Sequence, residues 1–162
     1  MNTKEKRVYA PVIVSYDIET TNYRDNGVKK SVVYVHTFSV DGVVTRLRTW
    51  TEAEAFLEKL VADHQAGGNT YVVVFVHNLP YEFSFIKKYF EWEDVFAIAD
   101  RHKVIRARTQ GLEFRCTLAL TNKSLEGVGR EVGVDKMVGD LDYELMRHSE
   151  TPLTEAEIGY ID

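Results

Sequence analysis

Two nearly continuous apolar runs restrict the possible fold more than any other feature of this sequence. Val8 to Tyr16 is rich in β-branched residues and is interrupted only by Pro11, and Tyr71 to Val76 reads YVVVFV. Runs of this kind are typical of strands that are buried on both faces of a sheet. They predict an α/β domain with two buried strands at the centre of its sheet.

The segments around these runs supply the other elements of such a domain. Asp41-Gly42 predicts a hairpin, and the polar segment Tyr23 to Lys30 predicts a turn. Thr51 and Glu54 form a capping box at the start of a predicted helix. Further strands are predicted at Ser31–Val40, Val43–Trp50, Val95–Ala99, Lys103–Thr109 and Leu112–Thr117, with helices from Pro80 through Phe90, over Ser124–Val132 and from Thr154.

Composition excludes several classes of protein. A chain of 162 residues without repeats or a linker is expected to form one domain, and a single cysteine excludes a disulfide scaffold and a cysteine-based zinc module. No run approaches the ~18 apolar residues of a membrane span, so we expect a cytoplasmic protein without a membrane partner. The net charge of -5 argues against a protein that holds nucleic acid by bulk positive charge, but it does not exclude an enzyme that does so through metal ions.

Acidic residues follow the first apolar run. It ends in Tyr16-Asp17-Ile18-Glu19-Thr20, and side chains two apart on a strand point to the same side, so Asp17 and Glu19 present two carboxylates together. Such a pair suits Mg²⁺ or Mn²⁺, which prefer oxygen ligands. The alternative is a strand that leaves the core and meets solvent.

Polar groups also follow the second run. His77 and Asn78 come directly after it, and Glu82 lies in the first turn of the helix predicted from Pro80. Ligands of open α/β sheets bind at such strand ends. Taken alone, Glu82 is as readily a partner of the helix dipole, and His77 a packing residue; the two strand ends together are more specific than either.

These motifs resemble those of a known family. Asp17-x-Glu19 and the segment His77 to Ile86 are similar to the first and second exonuclease motifs of family B DNA polymerases, especially the protein-primed enzymes of phages and linear plasmids. Three later stretches are similar in order and spacing to further motifs of that family, so the resemblance runs from about Val12 to Asp162: Ser124-Leu125-x-x-Val128, Gly139-Asp140-Leu141-Asp142-Tyr143, and Thr154 to Tyr160 before the third exonuclease motif.

The resemblance implies a single ribonuclease H-like 3′–5′ exonuclease domain over residues 1–162, with a central mixed sheet flanked by helices, which proofreads by removing nucleotides from the 3′ end of single-stranded DNA. It implies two divalent ions, Mg²⁺ or Mn²⁺, bound by Asp17, Glu19 and Glu82, and a water molecule oriented by Tyr160. The residues that match the family's DNA contacts are Thr20, His77, Asn78, Tyr81, Phe85, Ser124 and Leu125.

Two of these DNA contacts have a physical basis of their own. Tyr81 and Phe85 are i and i+4 on one helical face and can stack unpaired bases, although Phe85 is as readily a core residue. Arg106 and Arg108 share one strand face and, with Lys103 and Arg115, form either a basic patch or an ordinary solvated edge.

The sequence departs from the family pattern at three positions. Glu82 stands where Asp is usual, and Val138 stands where a phosphate-positioning Lys is usual, with Lys136 as the candidate replacement. Tyr160 predicts an Asp four residues later, whereas the sequence ends at Asp162. We therefore expect a fragment of a polymerase, with impaired activity; a short gene product that has lost or borrows this carboxylate is the alternative.

The expected partners follow from the same resemblance. They are a single-stranded DNA 3′ end, a polymerase domain in cis in the full-length protein, and a terminal (priming) protein. Two other functions stay open: an inactive exonuclease fold that binds single-stranded DNA or a priming protein, and a nuclease of the wider ribonuclease H-like group that acts on RNA.

Overall fold

The structure is a computed structural model, and it describes residues 6–98, 103–135, 139 and 141–161. Eight strands and five helices lie within these ranges. The strands are β1 (Val8–Tyr9), β2 (Val14–Asp25), β3 (Val28–Val40), β4 (Val43–Leu47), β5 (Thr70–Val76), β6 (Asp94–Ile98), β7 (Lys103–Thr109) and β8 (Leu112–Cys116). The helices are α1 (Trp50–Asp63), α2 (Leu79–Ile86), α3 (Thr117–Thr121), α4 (Leu125–Val132) and α5 (Glu155–Ile161).

The strands form one mixed sheet in the order β4-β3-β2-β5-β8-β7-β6, and β1 pairs with β5. The strands β2 and β8 are both parallel to β5, whereas β3, β4, β6 and β7 pair with their neighbours in antiparallel fashion. The carboxyl ends of β5 and β8 therefore meet at one edge of the sheet, which is where ligands bind in open α/β sheets. The strand β2 passes this edge, because it pairs with β5 only at Val14 and Ser15 and continues to Asp25, so the prediction that the first strand ends near Asp17 and Glu19 is wrong. The predicted class, a central mixed sheet flanked by helices, is confirmed.

The core lies on one face of this sheet. Alternate residues of β2 and β5, such as Val14, Tyr16, Val72 and Val74, are buried there against apolar side chains of α1 and α2. The other face is open at the start of β2, because Ile13, just before the strand, is 69% exposed and Ser15 and Asp17 are also exposed. The prediction that the first run is buried on both faces is therefore wrong for β2, whereas β5 is buried on both.

Several predicted boundaries move because local pairing decides them. The capping box at the start of α1 is formed by Thr49 and Glu52 rather than by Thr51 and Glu54. The segment predicted as a polar turn is mostly strand, and only Asn26-Gly27, with φ of 48° and 81°, turns the chain between β2 and β3.

The helix predicted from Pro80 through Phe90 is shorter than expected. The helix α2 ends at Ile86, and beyond it the Phe90 ring packs edge-on against Trp92, with ring centroids 5.2 Å apart. Phe90 therefore packs against another aromatic ring from outside α2, although its spacing in the sequence predicts that it belongs to this helix. No helix in the described ranges is long and apolar enough to cross a membrane.

The arginines of β7 and β8, predicted as either a basic patch or a solvated edge, form an ion-pair network instead. Arg108 is buried between Asp94, at 2.5 Å, and Glu113, at 3.0 Å, and Arg115 pairs with Glu113 at 2.5 Å. Glu113 is fully buried. Because acidic partners neutralise these arginines, they do not form an open positive surface.

Candidate active site

The first half of β2, just beyond the residues that pair with β5, presents the two acids that the sequence singles out. Asp17 and Glu19 lie on the open face of β2, opposite Thr37 and Val35 of β3, while Tyr16 and Ile18 point into the core. Asp17 is exposed and Glu19 is half-buried. Their positions follow from the alternation of side chains along an extended strand.

Glu82 is brought to the same place by α2, which begins immediately after β5. Its side chain is buried and shares a hydrogen bond with Asp17. Burial raises the pKa of the Glu82 carboxyl to about 8, and the negative charge of Asp17 adds to this rise, which a backbone hydrogen bond opposes. Glu82 is therefore protonated near neutral pH and donates the hydrogen bond to Asp17.

This pair fits a divalent cation by its chemistry. Two ionised carboxylates in contact repel each other, and a divalent cation would remove this repulsion. Oε2 of Glu82 is also buried without a hydrogen-bond partner in the described structure. Within the described ranges, no three His, Cys, Asp or Glu side chains form a group that could hold a metal ion. Glu19 therefore lies two residues from Asp17 along β2 but does not form a three-carboxylate group with Asp17 and Glu82.

Two clefts meet at Asp17. A cleft of about 770 Å³ is lined by Asp17, Glu82 and, among other residues, His77, Asn78, Ser124 and Leu125. A second cleft, of about 610 Å³, is lined by Asp17, Glu19 and Tyr160 together with the exposed apolar side of α4, including Leu125. The two clefts that share Asp17 are therefore lined by seven other predicted site residues.

Tyr160 is held on α5 by close packing. Its ring lies with Tyr34 and Ile161 in a small apolar cluster, and a Cβ atom added at Gly139 would lie 2.2 Å from Cδ2 of this ring. Only glycine fits at position 139 beside the Tyr160 ring. Lys136, Val138, Asp140 and Asp162 lie outside the described residues.

The other predicted DNA contacts, Thr20, Tyr81 and Phe85, contact one another outside the lining of these two clefts. The hydroxyl groups of Thr20 and Tyr81 are hydrogen-bonded at 2.6 Å, and the Tyr81 and Phe85 rings are in edge contact with centroids 5.3 Å apart. Tyr81 is 42% exposed, whereas Phe85 is half-buried against the core. Phe85 therefore packs against the core and is also partly exposed at the surface.

His77 and Ser124 have structural partners as well as positions in the first cleft. Nδ1 of His77 is 3.1 Å from the Thr117 hydroxyl, and its carbonyl accepts a hydrogen bond from the Leu118 N–H. The Ser124 hydroxyl accepts from the Gly127 N–H and caps α4, as predicted. These bonds fix the side chains that line the cleft.

One residue of the site, Tyr34, was not predicted from the sequence. A β-bulge pairs Glu19 with Val35 and Thr20 with Val33, so that Tyr34 is the extra residue between them. Tyr34 is buried; this burial, with the negative charge of Glu19, raises the pKa of Tyr34 to about 12, although Arg147 opposes the rise. A bulge leaves no mark in the hydrophobic pattern, so the sequence offers no way to place Tyr34 beside Glu19.

The Glu82 carboxyl predicts a pH dependence of the metal-free protein. Its pKa rises from an ordinary value of 4.5 to about 8 on folding, so the folded state binds the proton more tightly than the unfolded state does. The stabilisation is complete below pH 4.5 and is lost as the pH rises through about 8. We expect the free energy of unfolding, measured in urea with a chelator present, to fall across this range.

Glu82→Gln, which cannot ionise, provides the control for this pH dependence. The variant should show a flatter pH profile, and Mn²⁺ added to the unsubstituted protein should release protons near neutral pH. Parallel profiles of the two proteins would contradict the assignment of the raised pKa to Glu82.

Known proteins share the fold of this chain but little of its sequence. No family model matches the chain, and no curated protein matches it. Phi29 DNA polymerase complexed with primer-template DNA, in a post-translocation binary complex, superimposes with a TM-score of 0.71 at 16% identity over 93% of this chain. The same polymerase complexed with single-stranded DNA superimposes with a TM-score of 0.70, also at 16% identity and over 93% of the chain.

These matches show the fold, a central mixed sheet flanked by helices, which is consistent with the ribonuclease H-like fold that the resemblance implies. The chain spans 28% of the length of the phi29 polymerase chain. It is thus similar in structure to one region of a DNA polymerase.

Proposed function

We propose that this chain is a metal-dependent 3′–5′ exonuclease domain, which hydrolyses single-stranded DNA from its 3′ end as the proofreading part of a larger DNA polymerase. The observation that supports this function best is the contact between Asp17, just beyond the residues of β2 that pair with β5, and Glu82, in the first turn of the helix that follows β5. An otherwise unfavourable pair of acids at this edge of the sheet is explained by a cationic ligand.

The chain's own residues would divide the chemistry among them. Asp17, Glu82 and Glu19 would hold two Mg²⁺ or Mn²⁺ ions, which when bound supply Lewis acidity and neutralise charge on the phosphodiester. Binding of a cation would drive the proton off Glu82, since a metal ligand must be deprotonated. The Tyr160 hydroxyl would orient the attacking water in the cleft that it shares with Glu19.

The strand would be held by groups on both sides of this centre. His77, Asn78, Ser124 and Leu125 border the first cleft, where a terminal nucleotide would lie. Thr20 and Tyr81, joined by their hydrogen bond, and Phe85 would contact the following nucleotides. Stacking on aromatic rings does not depend on base identity, which suits an enzyme that must remove any misincorporated nucleotide; Lys136 is the proposed contact to the scissile phosphate.

The full-length protein would supply the remaining parts in the cytoplasm of a phage-infected or plasmid-bearing host. We include among them a polymerase domain in cis, a further carboxylate after Tyr160, and a terminal protein that primes synthesis. Each is part of the same proposal, because the structural similarity covers one region of the polymerase.

Degradation of end-labelled oligonucleotides tests this function. With Mg²⁺ or Mn²⁺, a 5′-labelled single strand of DNA should shorten one nucleotide at a time, and a chelator should stop the reaction. A 3′-phosphorothioate linkage should protect the strand, and an RNA strand of the same sequence should be cut more slowly. Cleavage that begins at the 5′ end or within the strand would contradict the proposal.

A second function is favoured by the separation of Glu19 from the Asp17–Glu82 pair. Because no group of three metal-binding side chains forms in the described ranges, the chain also fits an inactive exonuclease fold that binds single-stranded DNA or a priming protein. That function predicts DNA binding that survives both chelation and Glu19→Gln, without any hydrolysis.

A further inference from the structure

A third cavity lies at the far end of α2 from Glu82. It has a volume of about 330 Å³, and its walls include Phe85, Lys88, Tyr89, Trp50, Arg48 and His148. We call it the Tyr89 pocket. Phe85 belongs both to this pocket and to the edge contact with Tyr81, so the pocket begins where the proposed DNA contacts end.

The pocket has a rigid aromatic wall. The Tyr89 and Trp50 rings are stacked, with centroids 4.0 Å apart and planes 18° apart, and Nζ of Lys88 lies 4.8 Å from the centre of the Tyr89 ring. Trp50 and Phe85 also pack against the hydrophobic core, which fixes their positions, but Tyr89 is 40% exposed. A flat, fixed and partly exposed aromatic surface beside a lysine suits a nucleobase and its phosphate.

The charge of the Tyr89 pocket is unusual for a protein of net charge -5. None of the described residues that line it is Asp or Glu. By contrast, the larger cavity between α1 and β8 is lined by four glutamates. The acid beside the Tyr89 pocket is Glu52, whose carboxylate accepts hydrogen bonds from the backbone N–H groups of Arg48 and Thr49 and does not line the pocket.

Arg48 adds a fixed positive charge to this pocket. Its guanidinium donates hydrogen bonds to the backbone carbonyls of Tyr34, His148 and Thr151. These acceptors are uncharged, so they hold the side chain in place while its positive charge is kept. A phosphate group in the pocket would be attracted by Arg48 and by Lys88 together.

We propose that the Tyr89 pocket is an additional subsite for single-stranded DNA. It holds a nucleotide on the 5′ side of those at Tyr81 and Phe85, with the base against Tyr89 and Trp50 and the phosphate near Lys88. This inference rests on the proposed function, since it continues the strand from the Asp17 site over Thr20, Tyr81 and Phe85.

Photocrosslinking of the whole chain locates the strand directly. Oligothymidylates that carry 5-iodouracil at one position, moved stepwise from the 3′ end, are irradiated with the protein in a chelator, and the crosslinked peptides are identified by mass spectrometry. Positions near the 3′ end should crosslink around Tyr81 and Phe85, and positions further toward the 5′ end should crosslink to Tyr89 or Trp50.

Affinity measurements on two variants test the same subsite. Tyr89→Leu should reduce the preference for a long oligothymidylate over a short one by about fivefold or more, because a stacked base is lost. Lys88→Gln should lower the slope of log affinity against log salt by about 0.7, which corresponds to one phosphate contact. Lys87→Gln changes an exposed lysine outside the pocket and is the matched control.

The outcomes separate this inference from the proposed function. Crosslinks confined to Tyr81 and Phe85, with Lys88→Gln indistinguishable from Lys87→Gln, would overturn the subsite and leave the exonuclease proposal standing. Failure of every oligonucleotide to bind or crosslink would also overturn the subsite, whereas absence of hydrolysis with Mg²⁺ and with Mn²⁺ would overturn the proposed function.

Discussion

Replacing Asp17 with asparagine is expected to lower the rate of 3′–5′ hydrolysis of single-stranded DNA by about a thousandfold. Asp17 borders both clefts and is hydrogen-bonded to Glu82, so no other described acid can take its place. Loss of a metal-binding carboxylate removes several kcal/mol of transition-state stabilisation, and each ~1.4 kcal/mol is tenfold in rate. The rate is measured in single turnover with Mg²⁺ and with Mn²⁺.

Asp25→Asn is the matched control for this substitution. Asp25 lies at the exposed end of the same strand and pairs with Lys30 at 2.5 Å, so its loss should change the rate less than twofold. Binding of DNA in a chelator should become tighter in Asp17→Asn, because a negative charge is removed from the cleft. An Asp17→Asn enzyme with the unsubstituted rate would exclude Asp17 from the chemistry, and with it the proposed metal site.

Arg108→Met is expected to lower the free energy of unfolding by about 3 kcal/mol or more. The Arg108 side chain is 7% exposed and the Glu113 side chain 1% exposed. Removing the cation leaves Glu113 with Arg115 alone, whose side chain is 38% exposed. A buried carboxylate that loses its buried partner is costly, and the expected loss is a large part of the 5 to 15 kcal/mol (roughly) that stabilises a typical domain.

Urea unfolding with two further variants tests this expectation. Lys59→Met breaks an exposed pair with Asp63 and should change the free energy of unfolding by less than about 0.5 kcal/mol. The double variant Arg108→Met/Glu113→Leu removes both buried charges and should recover most of the loss. If Arg108→Met were as stable as Lys59→Met, the buried network would not contribute to folding.

The hydrophobic pattern was sufficient to predict the frame of the site. The two valine-rich runs predict neighbouring central strands, and the polar residues after them predict where a ligand would bind. Both inferences depend on local sequence, since consecutive residues show where an apolar run begins and where it stops. The N-cap at Ser124 was predictable for the same reason, because a cap needs only the residues that follow it.

Other features depend on residues that are distant along the chain. The face of β2 that is open to solvent depends on where α1 and α2 pack, so the exposure of Ile13 could not be inferred from its apolar neighbours. The same holds for Arg108, whose acidic partner Glu113 comes from the next strand and whose other partner, Asp94, comes from the previous one.

By itself, therefore, the sequence was enough to predict a mixed α/β fold and to single out the acids that follow its apolar runs, because strand burial and the side to which alternate residues point are local properties. The tertiary structure alone decided that Glu82 contacts Asp17 while Glu19 faces Tyr160 and the bulge at Tyr34. Distances between side chains depend on the register of paired strands and on the path of the connecting helix, and neither is encoded in the residues at the site.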